Sequence, residues 1–173
     1  GEDSVPTVQE NWIKIWLAPA IVIGKGVSAM VFKNSCNYNS YGIVIINSKS
    51  KVIENVIKKS HKDGIQIRWV DQGNICCPDV ENNEIHESNA CGIIIQGDNA
   101  NPKIVNNLVE NNKKCGIKLC DGAKVDTMKK NRVKRNYTQG ILLVEGSSAI
   151  IEDNNVCKNL KSNIAYGGQG SQN

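Results

Sequence analysis

Residues 101–119, Asn101-Pro102-Lys103-Ile104-Val105-Asn106-Asn107-Leu108-Val109-Glu110-Asn111-Asn112-Lys113-Lys114-Cys115-Gly116-Ile117-Lys118-Leu119, carry the units of a repeat that runs along most of the chain. The closing Gly-Ile-x-apolar phrase also occurs as Gly42-Ile43-Val44-Ile45, Gly64-Ile65-Gln66-Ile67, Gly92-Ile93-Ile94-Ile95 and Gly140-Ile141-Leu142-Leu143. A degenerate copy, Asn163-Ile164-Ala165-Tyr166, ends the series, and successive copies start 22, 28, 24, 24 and 23 residues apart. Between them lies an apolar-x-x-Asn-x-apolar phrase centred on Asn55, Asn83, Asn107, Asn131 and Asn154. A second polar column, Ser60, Ser88, Asn112, Asn136 and Asn159, follows at fixed phase.

Fixed-period self-similarity of this length marks a solenoid. The apolar positions alternate in twos and threes and are then broken by Gly or Asn, which is the pattern of strands and turns, not of helices. The LxxLxLxxN/CxL phrase of leucine-rich repeats is absent. The expectation is an all-β, right-handed, single-stranded parallel β-helix of about six to seven coils. Strand alternation points Ile43, Ile65, Ile93, Ile117, Ile141 and Ile164 inward as one column. Ile45, Ile67, Ile95, Leu119, Leu143 and Tyr166 form a second. The Asn columns are placed at bends, where Asn tolerates left-handed backbone and its amide bonds to the coils above and below.

Residues 1–30 are expected to form an N-terminal cap or first irregular coil, 31–166 the repeats, and 167–173 a polar tail. Ile13, Ile15 and Leu17 read as one strand face, with Trp12 and Trp16 covering the open end. The chain starts on Gly1, as an excised piece of a longer protein would, and the opposite end invites continuation or end-to-end contact.

The 173 residues suit one domain, with 40 % hydrophobic but only 5 % aromatic content. A formal net charge of +4, with Lys and Glu interleaved, does not by itself indicate nucleic acid. The apolar run from Leu17 to Ile23 is too short to cross a membrane. Seven cysteines without zinc spacing read as reduced thiols of an intracellular protein.

The phrase Asn101-Pro102-Lys103-Ile104-Val105-Asn106-Asn107 followed by Gly116-Ile117-Lys118-Leu119 resembles the parallel β-helix repeats of the pectin-lyase-like superfamily. It is most similar to the intracellular branch, the β-helix domains of F-box substrate adaptors and of the SHC SH2-binding protein. The resemblance spans about residues 31–166 and implies a protein-interaction module, often within a longer chain. No F-box is visible among these residues.

Extracellular relatives of this fold cleave acidic polysaccharides. Asp71, Asp98, Asp121 and Glu145 follow the repeated strand and form the candidate acidic cluster, for a cation or for acid–base chemistry. Turn chemistry, in which Asp favours turns and stays solvated, is the preferred explanation. The Asn-Thr-Asp, Gly-His-Gly and Arg-Ile-Lys signatures of polygalacturonases are absent. His61 and His86 sit at different phases, so no catalytic constellation, metal set or cofactor is expected. Cys91 and Cys115 share a phase and should neighbour each other, as thiols or as a disulfide; vicinal Cys76 and Cys77 lie in an insertion, Trp69 to Asp79.

Outward positions of the repeated strand are Val44, Ile46, Gln66, Arg68, Ile94, Gln96, Lys118, Cys120, Leu142 and Val144. Half are apolar, more than a solvated sheet needs, so this face is the candidate protein-docking surface. The basic run Lys129, Lys130, Arg132, Lys134 and Arg135 is the second candidate. With only Tyr137 interleaved, it lacks the stacking aromatics of a nucleic-acid site. The reading is a non-catalytic scaffold for a protein partner; a carbohydrate-binding or polysaccharide-cleaving domain is the alternative.

Overall fold

The computed structural model describes residues 5–70 and 76–167. Among the described residues twenty-one short strands make seven coils, each giving one strand to each of three seven-stranded parallel sheets. The first coil holds β1 (Thr7–Gln9), β2 (Trp12–Ile13) and β3 (Ile21–Ile23); the second β4 (Met30–Phe32), β5 (Ser35–Asn37) and β6 (Ile43–Ile46). The third holds β7 (Lys51–Ile53), β8 (Val56–Lys58) and β9 (Ile65–Arg68). Then come β10 (Asp79–Glu81), β11 (Glu84–His86) and β12 (Ile93–Gln96). The fifth coil is β13 (Lys103–Val105), β14 (Leu108–Glu110) and β15 (Ile117–Cys120). The sixth is β16 (Lys124–Lys129), β17 (Arg132–Lys134) and β18 (Gln139–Val144). The last is β19 (Ser148–Glu152), β20 (Asn155–Cys157) and β21 (Ser162–Gly167). Sheet A collects β1, β4 and their equivalents, sheet B β2, β5 and so on, and sheet C β3, β6 and so on. No helix occurs among the described residues.

The inward columns fall where alternation puts them. Ile43, Ile65, Ile93, Ile117 and Ile141 are fully buried, as are Ile45, Ile67, Ile95 and Leu119. Val31, Val52, Val80 and Ile104 from sheet A meet Cys36, Ile57, Ile85 and Val109 from sheet B in the same core. Each such side chain contributes about 1.5–3 kcal/mol on burial. Ile164 and Tyr166 continue the columns but are exposed, because no further described coil stacks on them.

Between sheets A and B the chain bends on a continuous amide ladder. Asn107 Nδ2 donates to Asn131 Oδ1 at 3.0 Å, to the Val80 carbonyl at 2.9 Å and to the Val105 carbonyl at 3.1 Å. Its Oδ1 accepts from the backbone N–H and the side-chain amide of Asn83. The unit repeats from Asn34 to Asn154. The expectation that these Asn residues are themselves left-handed is corrected. The left-handed residue is the one before each, Lys33, Glu54, Asn82, Asn106, Lys130 and Asp153, with φ of 52–58°. A buried amide bonded on both sides holds its neighbour in a conformation that L-residues disfavour by about 1–2 kcal/mol.

The second column, between sheets B and C, is a broken ladder. Asn112, Asn136 and Asn159 bond in series, but Ser60 and Ser88 interrupt it, and neither hydroxyl has a hydrogen-bond partner. Gly92, opening β12, faces this column; a Cβ there would lie 2.3 Å from Val109 Cγ1 and 2.8 Å from the Gly116 carbonyl oxygen.

Residues 7–23 form a coil in register with the next, Thr7 opposite Met30, Trp12 opposite Ser35 and Ile21 opposite Ile43. The expected Ile13–Leu17 strand face stops at Ile13. Leu17 sits in a turn, 88 % exposed. Trp12 and Trp16 stay exposed and do not cover the end, since Trp12 alternates outward beside Ile13 and Trp16 lies against His61 two coils away. The insertion falls between sheets C and A, where Trp69 packs against the core and Cys76 is buried; residues 71–75 lie outside the described residues.

The ladder predicts a sharp contrast. Asn107→Ala leaves the buried Asn83 N–H without its acceptor and takes one donor from each of the Val80 and Val105 carbonyls, and should cost about 2–4 kcal/mol in urea unfolding. Lys130→Asn relieves left-handed strain and should raise stability by up to about 1 kcal/mol. Equal effects of the two would refute the ladder's role.

Candidate functional site

On sheet C, the register places Val44, Gln66, Ile94, Lys118 and Leu142 in one outward row and Ile46, Arg68, Gln96 and Cys120 in the next, which Val144 extends. Val44 is only 6 % exposed and Cys120 3 %, so these two expected contact residues are in fact covered. Strands about 4.8 Å apart let each side chain be shielded by those above and below. Gln66 and Lys118 interrupt the apolar row, and Gln66 Nε2 donates to Gln96 Oε1 at 3.1 Å. Ile46, Ile94, Leu142 and Val144 are half-buried and Arg68 is exposed; they form no continuous apolar stripe.

Of the expected acidic cluster, only two members meet. Asp121 and Glu145 stack on adjacent coils, both exposed and left-handed at φ 55° and 56°; the Asp121 N–H donates to the Glu145 carboxylate at 3.3 Å. Gln96 donates to Asp121 at 3.2 Å, and Cys120 Sγ lies within 4.8 Å of both carboxylates. Asp98 is one residue out of step, since Gly97 takes the left-handed position there and Asp98 sits beside Gly122. Asp71 lies outside the described residues. Burial pushes the Cys120 thiol up to about 11, so this group offers a hard cation two ready oxygen donors where six to eight are usual.

The basic run divides around a bend. Lys129 ends β16, Lys130 is the left-handed corner, Arg132 and Lys134 lie on β17, and Arg135 is the next corner. Glu110 takes up much of the run, at 3.2 Å from Lys134 and 3.9 Å from Arg135, and His86 Nδ1 is 3.2 Å from its other oxygen.

A groove that sequence reading missed runs along the corner between sheets B and C. One wall is built from the left-handed residues Tyr38, Lys59, Glu87 and Asn111, the other from Trp16, His61, Asn89, Lys113 and Tyr137. Its volume is about 550 Å³, and it touches the first six coils. The Trp16 and His61 rings stand 4.3 Å apart at 56°. Lys59 Nζ donates to the Tyr38 hydroxyl at 3.0 Å, which raises the Lys59 pKa, and lies 3.9 Å from Glu87. Trp16 and Tyr137 are 62 % and 57 % exposed. Among the described residues four buried side-chain polar atoms lack a hydrogen-bond partner, and three of them, on Ser60, His61 and Ser88, belong to this corner. The sequence signal was available: these wall residues flank the second polar column on either side.

Cys91 and Cys115 stack as expected, as free thiols. Their mutual hydrogen bond raises the Cys91 pKa, reinforced by burial, and lowers that of Cys115 against burial, with help from Thr138. Beside them Asp63 accepts from the Cys91 N–H at 2.8 Å, and burial raises its pKa.

A family model described as a right handed beta helix region matches residues 20–173. No curated protein and no solved structure gives a significant match.

Glu110 and Lys134 are both largely shielded. A double-mutant cycle with Glu110→Gln and Lys134→Met should return a coupling of about 1 kcal/mol, against less than about 0.5 kcal/mol for the exposed Lys33–Glu54 pair. Equal couplings would show that Lys134 is free to meet a partner.

Proposed function

The chain belongs to the right-handed β-helix family, a fold-level membership that does not by itself fix a function, and we propose that it is a non-catalytic scaffold whose corner groove holds an extended segment of a protein partner. The observation that carries this reading is the groove itself: exposed Trp16 and Tyr137 at its ends, with three orphaned polar atoms at the same corner. From Trp16 in the first coil to Tyr137 in the sixth is about 24 Å at strand spacing, the length of about seven extended residues. Trp and Tyr are the side chains that most often anchor protein interfaces. Lys59, Glu87 and Lys113 present both signs of charge, which suits a polypeptide better than a polyanion.

A hydrolytic site of the usual kind needs two acidic groups, and this groove offers Glu87 alone. The likeness of the repeats to intracellular adaptor domains favours a protein partner, and the seven free thiols favour a reducing compartment. The second reading, an oligosaccharide ligand, is favoured by one observation: aromatic faces and the neutral amides of Asn89 and Asn111 in one groove.

The test screens a displayed library of short extended peptides and a panel of oligosaccharides against the wild type, a Trp16→Ala/Tyr137→Ala variant and an Ile94→Glu/Leu142→Glu variant. Selected peptides should bind the groove variant at least about tenfold more weakly, a loss of about 1.4 kcal/mol, and the sheet C variant unchanged. Peptides that ignore the groove variant but fail on the sheet C variant would move the site to that sheet. Sugar binding without peptide binding would establish the second reading.

A further inference from the structure

Beside the aromatic groove, where the sheet B–C corner meets the outward face of sheet C, lies a half-open pocket of about 330 Å³ whose lining includes Cys91, Cys115, Asp63, Lys114, Lys118 and Thr138. Cys91 and Cys115 occupy equivalent positions on neighbouring coils. The Gly92 N–H donates to the Cys115 carbonyl at 3.0 Å, and the Lys114 N–H to the Ala90 carbonyl at 3.0 Å. Parallel strands in register stand about 4.8 Å apart, inside the range of Cα separations that a disulfide spans. The two sulfurs have unequal surroundings. Thr138 Oγ1 donates to Cys115 Sγ at 3.4 Å, whereas the Asp63 carboxylate lies against the Cys91 backbone. Only small molecules can reach either one, since the residues are 4 % and 5 % exposed.

We infer that this cavity is a thiol–disulfide exchange site for a small anionic disulfide of the glutathione class, with Cys115 as the attacking and Cys91 as the resolving sulfur. Lys114 and Lys118 supply positive charge for the ligand's carboxylates, and Asp63 faces its ammonium group. The Cys115 thiolate attacks one ligand sulfur, the ligand S–S bond breaks, and the departing thiolate takes up a proton. Cys91 then gives up its proton and attacks Cys115 Sγ, expelling the second ligand half as a thiol. Two protein thiols are oxidised to one disulfide, and one small disulfide is reduced to two thiols. The lowered pKa of Cys115 and the raised pKa of Cys91 assign the same order of attack. This inference is independent of what the aromatic groove binds.

The experiment treats the folded protein with oxidised glutathione and maps the products by mass spectrometry under non-reducing conditions. The wild type should lose two hydrogens and give a Cys91–Cys115 cross-linked peptide, reversible by dithiothreitol. Cys91→Ser should stop at one glutathione held on Cys115, and Cys115→Ser should leave Cys91 unmodified. Adducts confined to half-buried Cys77 or Cys157, with Cys115 untouched, would overturn the site. So would a Cys91→Ser protein that folds and takes no glutathione at Cys115. Should a variant fail to fold, the wild type decides: iodoacetamide should label Cys115 at least about tenfold faster than Cys91, and equal labelling refutes the assigned roles.

Discussion

The buried amide of one Asn per coil, bonded to the Asn of the next, is the interaction on which the rest of the molecule depends. It completes the hydrogen bonding of a sharp bend that would otherwise bury an unpaired backbone N–H on every coil. It also lets ordinary residues such as Glu54 and Lys130 occupy the left-handed corner that Glu54 and Lys130 show. Because each amide spans neighbouring coils, the ladder locks the register of sheets A and B together. The isoleucine columns then stack directly above one another and fill the interior. The aromatic groove lies at the other corner, between sheets B and C, where the left-handed residues Tyr38, Lys59, Glu87 and Asn111 make one of its walls.

Strand alternation and turn chemistry made most of this architecture legible. The Gly-Ile-x-Ile phrase located sheet C and its two inward columns, and the Asn phrase located the bend between sheets A and B. For the first part of the chain, alternation of Ile13, Ile15 and Leu17 suggested a longer strand than forms: β2 is only Trp12–Ile13, and Leu17 lies exposed in a turn. Left-handed backbone was assigned to Asn55 and its equivalents because Asn is the residue type that tolerates it. In fact the side chain of Asn supports the conformation of the residue before it.

Functional residues were harder to read, for a physical reason. Alternation tells which way Val44 points but not how much its stacked neighbours cover it. Phase placed Asp121 over Glu145 correctly, but Gly97 shifted Asp98 out of line. Proximity to other charges was invisible too: Lys134 looks free in a basic run until the fold brings Glu110 within 3.2 Å. The second polar column marks the positions of the groove walls, but the side chains there vary in chemistry from coil to coil, so the column alone did not tell that they form a site.

Among the described residues nearly every stabilising contact joins neighbouring coils, roughly two dozen positions apart along the chain, and no strand pairing joins the first coil to the last. The protein is therefore a short one-dimensional lattice, in which each unit is held by its neighbours and not by the whole. Order can start on any adjacent pair of coils and spread outward like a zipper. Amides of the third to fifth coils, clasped from both sides, should be among the last to exchange with solvent.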